Sequence, residues 1–133
     1  MENRLDSILS ELPLKDFAIG NDVVFLPEFK ASWNTLFQQK VYTENEIRYC
    51  ELFDNAVLRY ASTWAAKEAV YKAIKQLNSN SVSFKSIEII REKPAGKPEV
   101  RIQKHLGKFS ISLSITHDGE YVWAAALAKV SES

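Results

Sequence analysis

Two acidic side chains far apart in the chain, Asp22 and Glu68, are the residues whose types and settings best suit chemistry. Glu68 lies in Trp64-Ala65-Ala66-Lys67-Glu68-Ala69-Val70-Tyr71-Lys72-Ala73-Ile74, part of a glycine- and proline-free run from Val57 to Leu77. At 3.6 residues per turn, Val57, Ala61, Trp64, Ala65, Glu68 and Lys72 share one face, and Ala66, Val70, Ala73, Ile74 and Leu77 fall largely on the other. A carboxylate on an apolar face needs a cation, a metal or a hydrogen-bond partner to offset desolvation. Lys72, one turn on, offers the plain alternative of an i,i+4 surface pair. Asp22 sits in Gly20-Asn21-Asp22, a polar triplet inside an apolar run. It reads either as a local backbone cap beside a bulge at Gly20 or as a ligand for a hard cation. Should the strand carrying Asp22 run against the helix carrying Glu68, the two carboxylates would suit magnesium, which takes oxygen ligands and keeps waters and substrate phosphates in its shell.

Other chemistries find less support. His105 and His117 are too few and too badly spaced for zinc, and a histidine at a hairpin tip more often makes a structural hydrogen bond. Cys50 reads as a helix-face residue without a basic partner to activate it. There is no nucleophile elbow, P-loop or dinucleotide fingerprint.

The elements that must position these residues follow from periodicity. Leu5, Ile8, Leu9 and Leu12 suggest an amphipathic helix over Asn3–Leu12, closed by Pro13. Phe17–Phe25 reads as a buried strand broken at its polar triplet, and Glu28–Gln39 as one helix packed through Phe29, Trp33 and Phe37. Thr43-Glu44-Asn45-Glu46 is a capping box opening a short helix through Phe53, and Asp54 and Asn55 can cap the long central helix. Beyond Asn78–Ser81, strands are expected at Val82–Ile89, bulged near Ser86, and at Glu99–Ile102, joined by the Pro94-Ala95-Gly96 turn. Phe109–His117 alternates, Asp118-Gly119 is a two-residue turn, and the alanine-rich strand Tyr121–Lys129 implies that something presses closely on one of its faces. The expected fold is α+β: one domain over residues 1–133, a long central helix packed on a mainly antiparallel sheet, with residues 1–16 as an extra N-terminal helix.

Length and composition bound the partners. At 133 residues and 46% hydrophobic, the chain can bury one core. Lysine plus arginine equal aspartate plus glutamate at 17 each, so no global field calls for nucleic acid or an anionic membrane, and any anion site must be local. The single cysteine and the absence of a signal peptide or long apolar span point to a soluble protein of the reducing cytoplasm.

Taken in order, Gly20-Asn21-Asp22-Val23-Val24, Tyr42-Thr43-Glu44-Asn45-Glu46, the Trp64–Ala73 segment, Gly96-Lys97-Pro98-Glu99-Val100 and Ser112-Leu113-Ser114-Ile115-Thr116-His117-Asp118 resemble the 4'-phosphopantetheinyl transferases. The resemblance covers about residues 18–129 and is greatest to the short, holo-acyl carrier protein synthase type. It implies that Asp22 and Glu68 hold magnesium together with the diphosphate of coenzyme A. The phosphopantetheine arm would pass to a serine of an apo acyl carrier protein of fatty-acid, polyketide or related synthesis, releasing 3',5'-ADP. Glu68 or a magnesium-bound water would take the serine proton, and Lys72 would counter charge on the bridging phosphate. Thr116 and His117 would contact the nucleotide end, with Lys67 and Arg59 as secondary candidates for phosphate contacts. The short type implies a homotrimer that completes its site across a subunit boundary. A basic surface of Lys30, Lys40 and Arg48 is expected to meet the acidic carrier, more weakly as salt rises.

The chain departs from the family pattern in four places. Thr63 stands where family members usually carry arginine, Gln76–Ser81 replaces a glycine-rich loop, and Tyr42-Thr43 replaces Phe-Thr, with Lys40 where an arginine is often found. These departures keep two alternatives in view: a non-catalytic relative that binds coenzyme A or a carrier protein as an accessory subunit, and a protein in which Asp22 and Glu68 are purely structural.

Overall fold

The computed structural model describes residues 16–92 and 96–131; the expected N-terminal helix and most of the Pro94-Ala95-Gly96 turn lie outside them. Strand β1 (Phe17–Phe25) leads into three short helices, α1 (Leu26–Ser32), α2 (Thr35–Val41) and α3 (Glu44–Cys50), and then into the long α4 (Ala56–Leu77). A hairpin of β2 (Ile87–Ile90) and β3 (Glu99–Ile102) follows, then a second hairpin of β4 (Phe109–Asp118) and β5 (Tyr121–Val130). Every pairing is antiparallel, in a three-stranded sheet ordered β1-β5-β4 and a separate β2-β3 pair. The fold is the expected α+β arrangement of a long helix on an antiparallel sheet.

Helix α4 starts where Asn55 accepts a hydrogen bond from Leu58 N at 3.2 Å and then buries two faces at once. Ala61, Ala65, Ala66, Ala69, Val70, Ala73 and Ile74 are all fully buried. Between Tyr60 and Ile74 only Trp64, Glu68, Tyr71 and Lys72 reach solvent. The body pressing on β5 is this helix, against which Val122, Ala124, Ala126 and Ala128 turn inward.

Several local expectations change. β1 is unbroken through Gly20, Asn21 and Asp22, which pair in register with Ala126, Ala125 and Ala124, so there is no bulge. Gly20 is present for a different reason: a Cβ there would come within 2.0 Å of Ala69 O and 2.7 Å of Ala73 N. The absent side chain lets the strand touch the helix backbone. The single helix over 28–39 is two, because Asn34 stops one and caps the next, accepting from Phe37 N at 2.8 Å. The capping-box helix ends at Cys50 rather than Phe53. Near Ser86 the chain makes a 3-10 turn, Phe84–Ser86, in place of a bulged strand. The β4-β5 loop is Gly119-Glu120, with Asp118 still paired to Tyr121, and Gly119 takes φ +59° at the first loop position, where a type II′ turn favours glycine.

The sheet face away from α4 is apolar rather than polar. Ile19, Val23, Tyr121, Trp123 and Leu127 are exposed on it, with Val23 opposite Trp123 and Ile19 opposite Leu127. Such a patch on one face of an antiparallel sheet marks a contact surface.

Gly20→Ala is expected to cost about 3 kcal/mol or more, because the new methyl meets backbone on both sides of its approach to the helix and neither β1 nor α4 can yield cheaply. Urea unfolding of the purified variant checks this; a loss below about 1 kcal/mol would show the contact to be loose.

Candidate active site

Asp22 occupies the helix-facing side of β1, as alternation from the buried Ala18, Gly20 and Val24 requires. Glu68 lies on the open strip of α4, in the same helix that Gly20 touches. The convergence foreseen from the sequence is therefore present. Lys72 Nζ donates to Asp22 Oδ1 at 2.9 Å and to Asn21 O at 3.1 Å, so the lysine one turn from Glu68 bonds across to the strand. The Glu68 carboxyl is pushed up to about 8, first by burial, then by a hydrogen bond to and the charge of Asp22, with Lys72 opposing.

Two adjoining carboxylates, one of them reluctant to ionise beside the other, form a donor set that a divalent cation would relieve. No third histidine, cysteine, aspartate or glutamate joins them among the described residues. Magnesium fits this set, because it needs few protein ligands when a substrate diphosphate and waters complete its shell.

Residues 18–126 match the 4'-phosphopantetheinyl transferase superfamily. The chain belongs to this family. It is 34% identical over 118 residues to a holo-[acyl-carrier-protein] synthase of Koribacter versatilis, covering 81% of this chain and 94% of that protein. It is 32% identical over 135 residues to the fatty acid synthase subunit alpha of Candida parapsilosis, of which it spans only 7% while 96% of the present chain is covered. The fold superimposes on the Chronobacterium ammoniagenes ACPS-CoA complex with TM-score 0.74 at 25% identity, over 87% and 98% of the two chains. A holo-(acyl-carrier-protein) synthase from Bacillus anthracis in complex with CoA (3',5'-ADP) gives TM-score 0.72 at 28% identity, over 86% and 96%.

The remaining site candidates of this phosphopantetheinyl transferase superfamily member divide. His117 and Arg59 line one cavity of about 250 Å³, together with Ser62, Arg91, Gly96 and Pro98. His117 Nε2 is 2.9 Å from Gly119 O, so the hairpin tip orients the ring. Thr116, paired with Trp123, alternates to the opposite face of β4 from His117.

Lys67 must be corrected. Its side chain is fully buried, and its ammonium donates to both Glu46 carboxylate oxygens, at 2.7 and 3.0 Å, and to Ile87 O. With three donors and three partners, none remains for a coenzyme A phosphate. The lysine adjacent to the site glutamate is a structural cation. Burial pulls its proton affinity down and Glu46 pulls it back up. Cys50 is also buried, with its thiol pushed up to about 11 chiefly by burial, which removes it as a nucleophile.

Sequence reasoning missed Arg91, whose signal is no more than a basic residue just past β2. In the structure its guanidinium donates to Ser62 Oγ at 3.3 Å, to Arg59 O at 3.4 Å and to Thr63 Oγ1, and it stacks 4.6 Å from the Tyr49 ring centroid.

Two outcomes follow. Lys67→Met is expected to destabilise the fold by about 3–5 kcal/mol by stranding the buried Glu46, and Glu46→Gln in the same background to restore part of the loss, read as urea midpoints. The second concerns pH. Because the folded state holds the Glu68 proton more tightly than the unfolded chain, the stability it contributes is full below about pH 4.5 and is lost as pH rises through about 8. Without divalent cations, melting temperature should fall more steeply between about pH 5 and 8.5 in the native chain than in Glu68→Gln; parallel curves would show that Glu68 does not titrate this way.

Proposed function

We propose that the protein is a holo-acyl carrier protein synthase, transferring the 4'-phosphopantetheine arm of coenzyme A to a serine of an apo acyl carrier protein in the cytoplasm, with release of 3',5'-ADP. The observation that carries this reading is the meeting of Asp22, Glu68 and Lys72 at one opening between β1 and α4, in a chain of this family. Asp22 and Glu68 would hold magnesium. The metal, when bound, would neutralise the diphosphate and favour displacement at phosphorus.

The chain's own groups have separable tasks. Lys72 is a half-exposed cation bonded to Asp22, placed to shift onto phosphate oxygens as substrate enters. Glu68, directly or through a bound water, would accept the serine proton as the hydroxyl attacks. His117 and Arg59 would take the nucleotide end. The α4 residues lining their cavity, Leu58, Arg59 and Ser62, lie six to ten positions before Glu68, about 9–15 Å away along the helix axis. That separation, the outward Thr116 and the apolar outer sheet face all favour a homotrimer in which the nucleotide bound by one copy reaches the acidic pair of another.

Incubation with coenzyme A, magnesium and apo carrier protein should add the phosphopantetheine mass to the carrier, and Asp22→Asn or Glu68→Gln should slow that addition by about 100-fold or more, about 3 kcal/mol of barrier at 1.36 kcal/mol per tenfold. Binding of coenzyme A without any mass increment on several carriers would instead favour an accessory binding subunit. Light scattering should return about 45 kDa, three times 15.1 kDa, and Trp123→Glu should lower both mass and transfer. A monomer that is fully active would remove the shared site.

A further inference from the structure

The cavity between the N-terminal half of α4 and the β2-β3 hairpin has a charge that the acidic pair does not explain. Among the described residues, Arg59 and Arg91 line it, no carboxylate does, and none of the three ion pairs involves either arginine. Both guanidiniums sit over aromatic rings, Arg59 at 4.0 Å from the Phe53 centroid and Arg91 at 4.6 Å from that of Tyr49. Arg91 is further fixed by the Ser62 and Thr63 hydroxyls, each of which also donates to Arg59 O, at 3.1 and 2.9 Å. Three of its five N–H donors are used in this way, which leaves two. Thr63 is itself buried, 2% exposed, and its short side chain makes the seat in which the guanidinium of a residue on another element rests.

A half-buried guanidinium without a counter-ion is costly unless an anion arrives, and a rigid fork with free donors suits a phosphate. Coenzyme A carries two kinds of phosphate, the diphosphate and the monoester on the 3' position of its ribose. The diphosphate belongs with Asp22, Glu68 and Lys72, which leaves the monoester for this cavity. We propose that Arg91, backed by Arg59, is the specificity-determining residue for that 3'-phosphate, and that the chain distinguishes coenzyme A from its dephospho form through it. This rests on coenzyme A being the substrate.

The test is calorimetric binding of 3',5'-ADP and of 5'-AMP to the full chain, native, Arg91→Gln and Arg91→Lys. The native protein should prefer 3',5'-ADP by about 30-fold, which is about 2 kcal/mol at 1.4 kcal/mol per tenfold. Arg91→Gln should reduce the preference to about threefold or less, and Arg91→Lys should retain an intermediate value, charge without the fork. The preference is a ratio within one protein preparation, so partial misfolding of a variant cancels. An undiminished preference in Arg91→Gln, or none in the native chain, overturns the proposal. The outcome is separable from the transferase reading. Loss of the preference in Arg91→Gln without any carrier modification would keep this assignment and sink the transferase, whereas efficient transfer with an unaltered preference would do the reverse.

Discussion

The ion pair between Glu46 and Lys67 is the interaction on which the rest of the molecule depends. Glu46 sits at the third position of α3, where its carboxylate accepts from Thr43 N and, through the other oxygen, from Ile89 N. Lys67 enters from the middle of α4 and also holds Ile87 O. Three elements, α3, α4 and β2, thus close around one buried charge pair, with the remaining polar atoms of both partners satisfied. Buried pairs are often no better than well-packed apolar residues in net energy, but removal of one partner is severe. Here the gain is definition: the pair sets the rotation of α4 about its axis and seats the hairpin from which Arg91 projects.

That rotation decides where the acidic site forms. Lys67 and Glu68 are adjacent in sequence and therefore about 100° apart on the helix. With Lys67 locked inward, Glu68 must emerge on the open strip, toward β1. Gly20 and the alanines of β5 then bring strand and helix into backbone contact, which carries Asp22 up to Glu68. Raised proton affinity at Glu68 is the electrostatic consequence of packing tight enough to set two carboxylates side by side.

Much of this was legible in the sequence because it rested on periodicity and on short-range rules. The long helix could be read from its uninterrupted run, the capping box from Thr43 and Glu46, the two hairpins from alternation, and the pairing of Asp22 with Glu68 from a strand and a helix that each lacked a polar excuse. The failures were of two kinds. Local signals with two possible causes were resolved the wrong way: Gly20 signalled close approach, not a bulge, and Asn34 divided what aromatic spacing made look like one helix. Long-range partners were invisible. A lysine next to the site glutamate looks like a phosphate ligand until Glu46, 21 residues earlier, is seen to hold it, and nothing in the sequence around Arg91 points to Thr63. What Thr63 does on α4 depends on a residue that follows β2, whose guanidinium it receives.

The inward lock on Lys67 has a mechanical corollary. A helix anchored at its centre by three hydrogen bonds, and pressed on one flank by a strand with no side chain to spare at Gly20, cannot roll or slide to withdraw its acidic group. The floor of the site is stationary. Any rearrangement there must come from parts not bolted to that floor, foremost the half-exposed arm of Lys72.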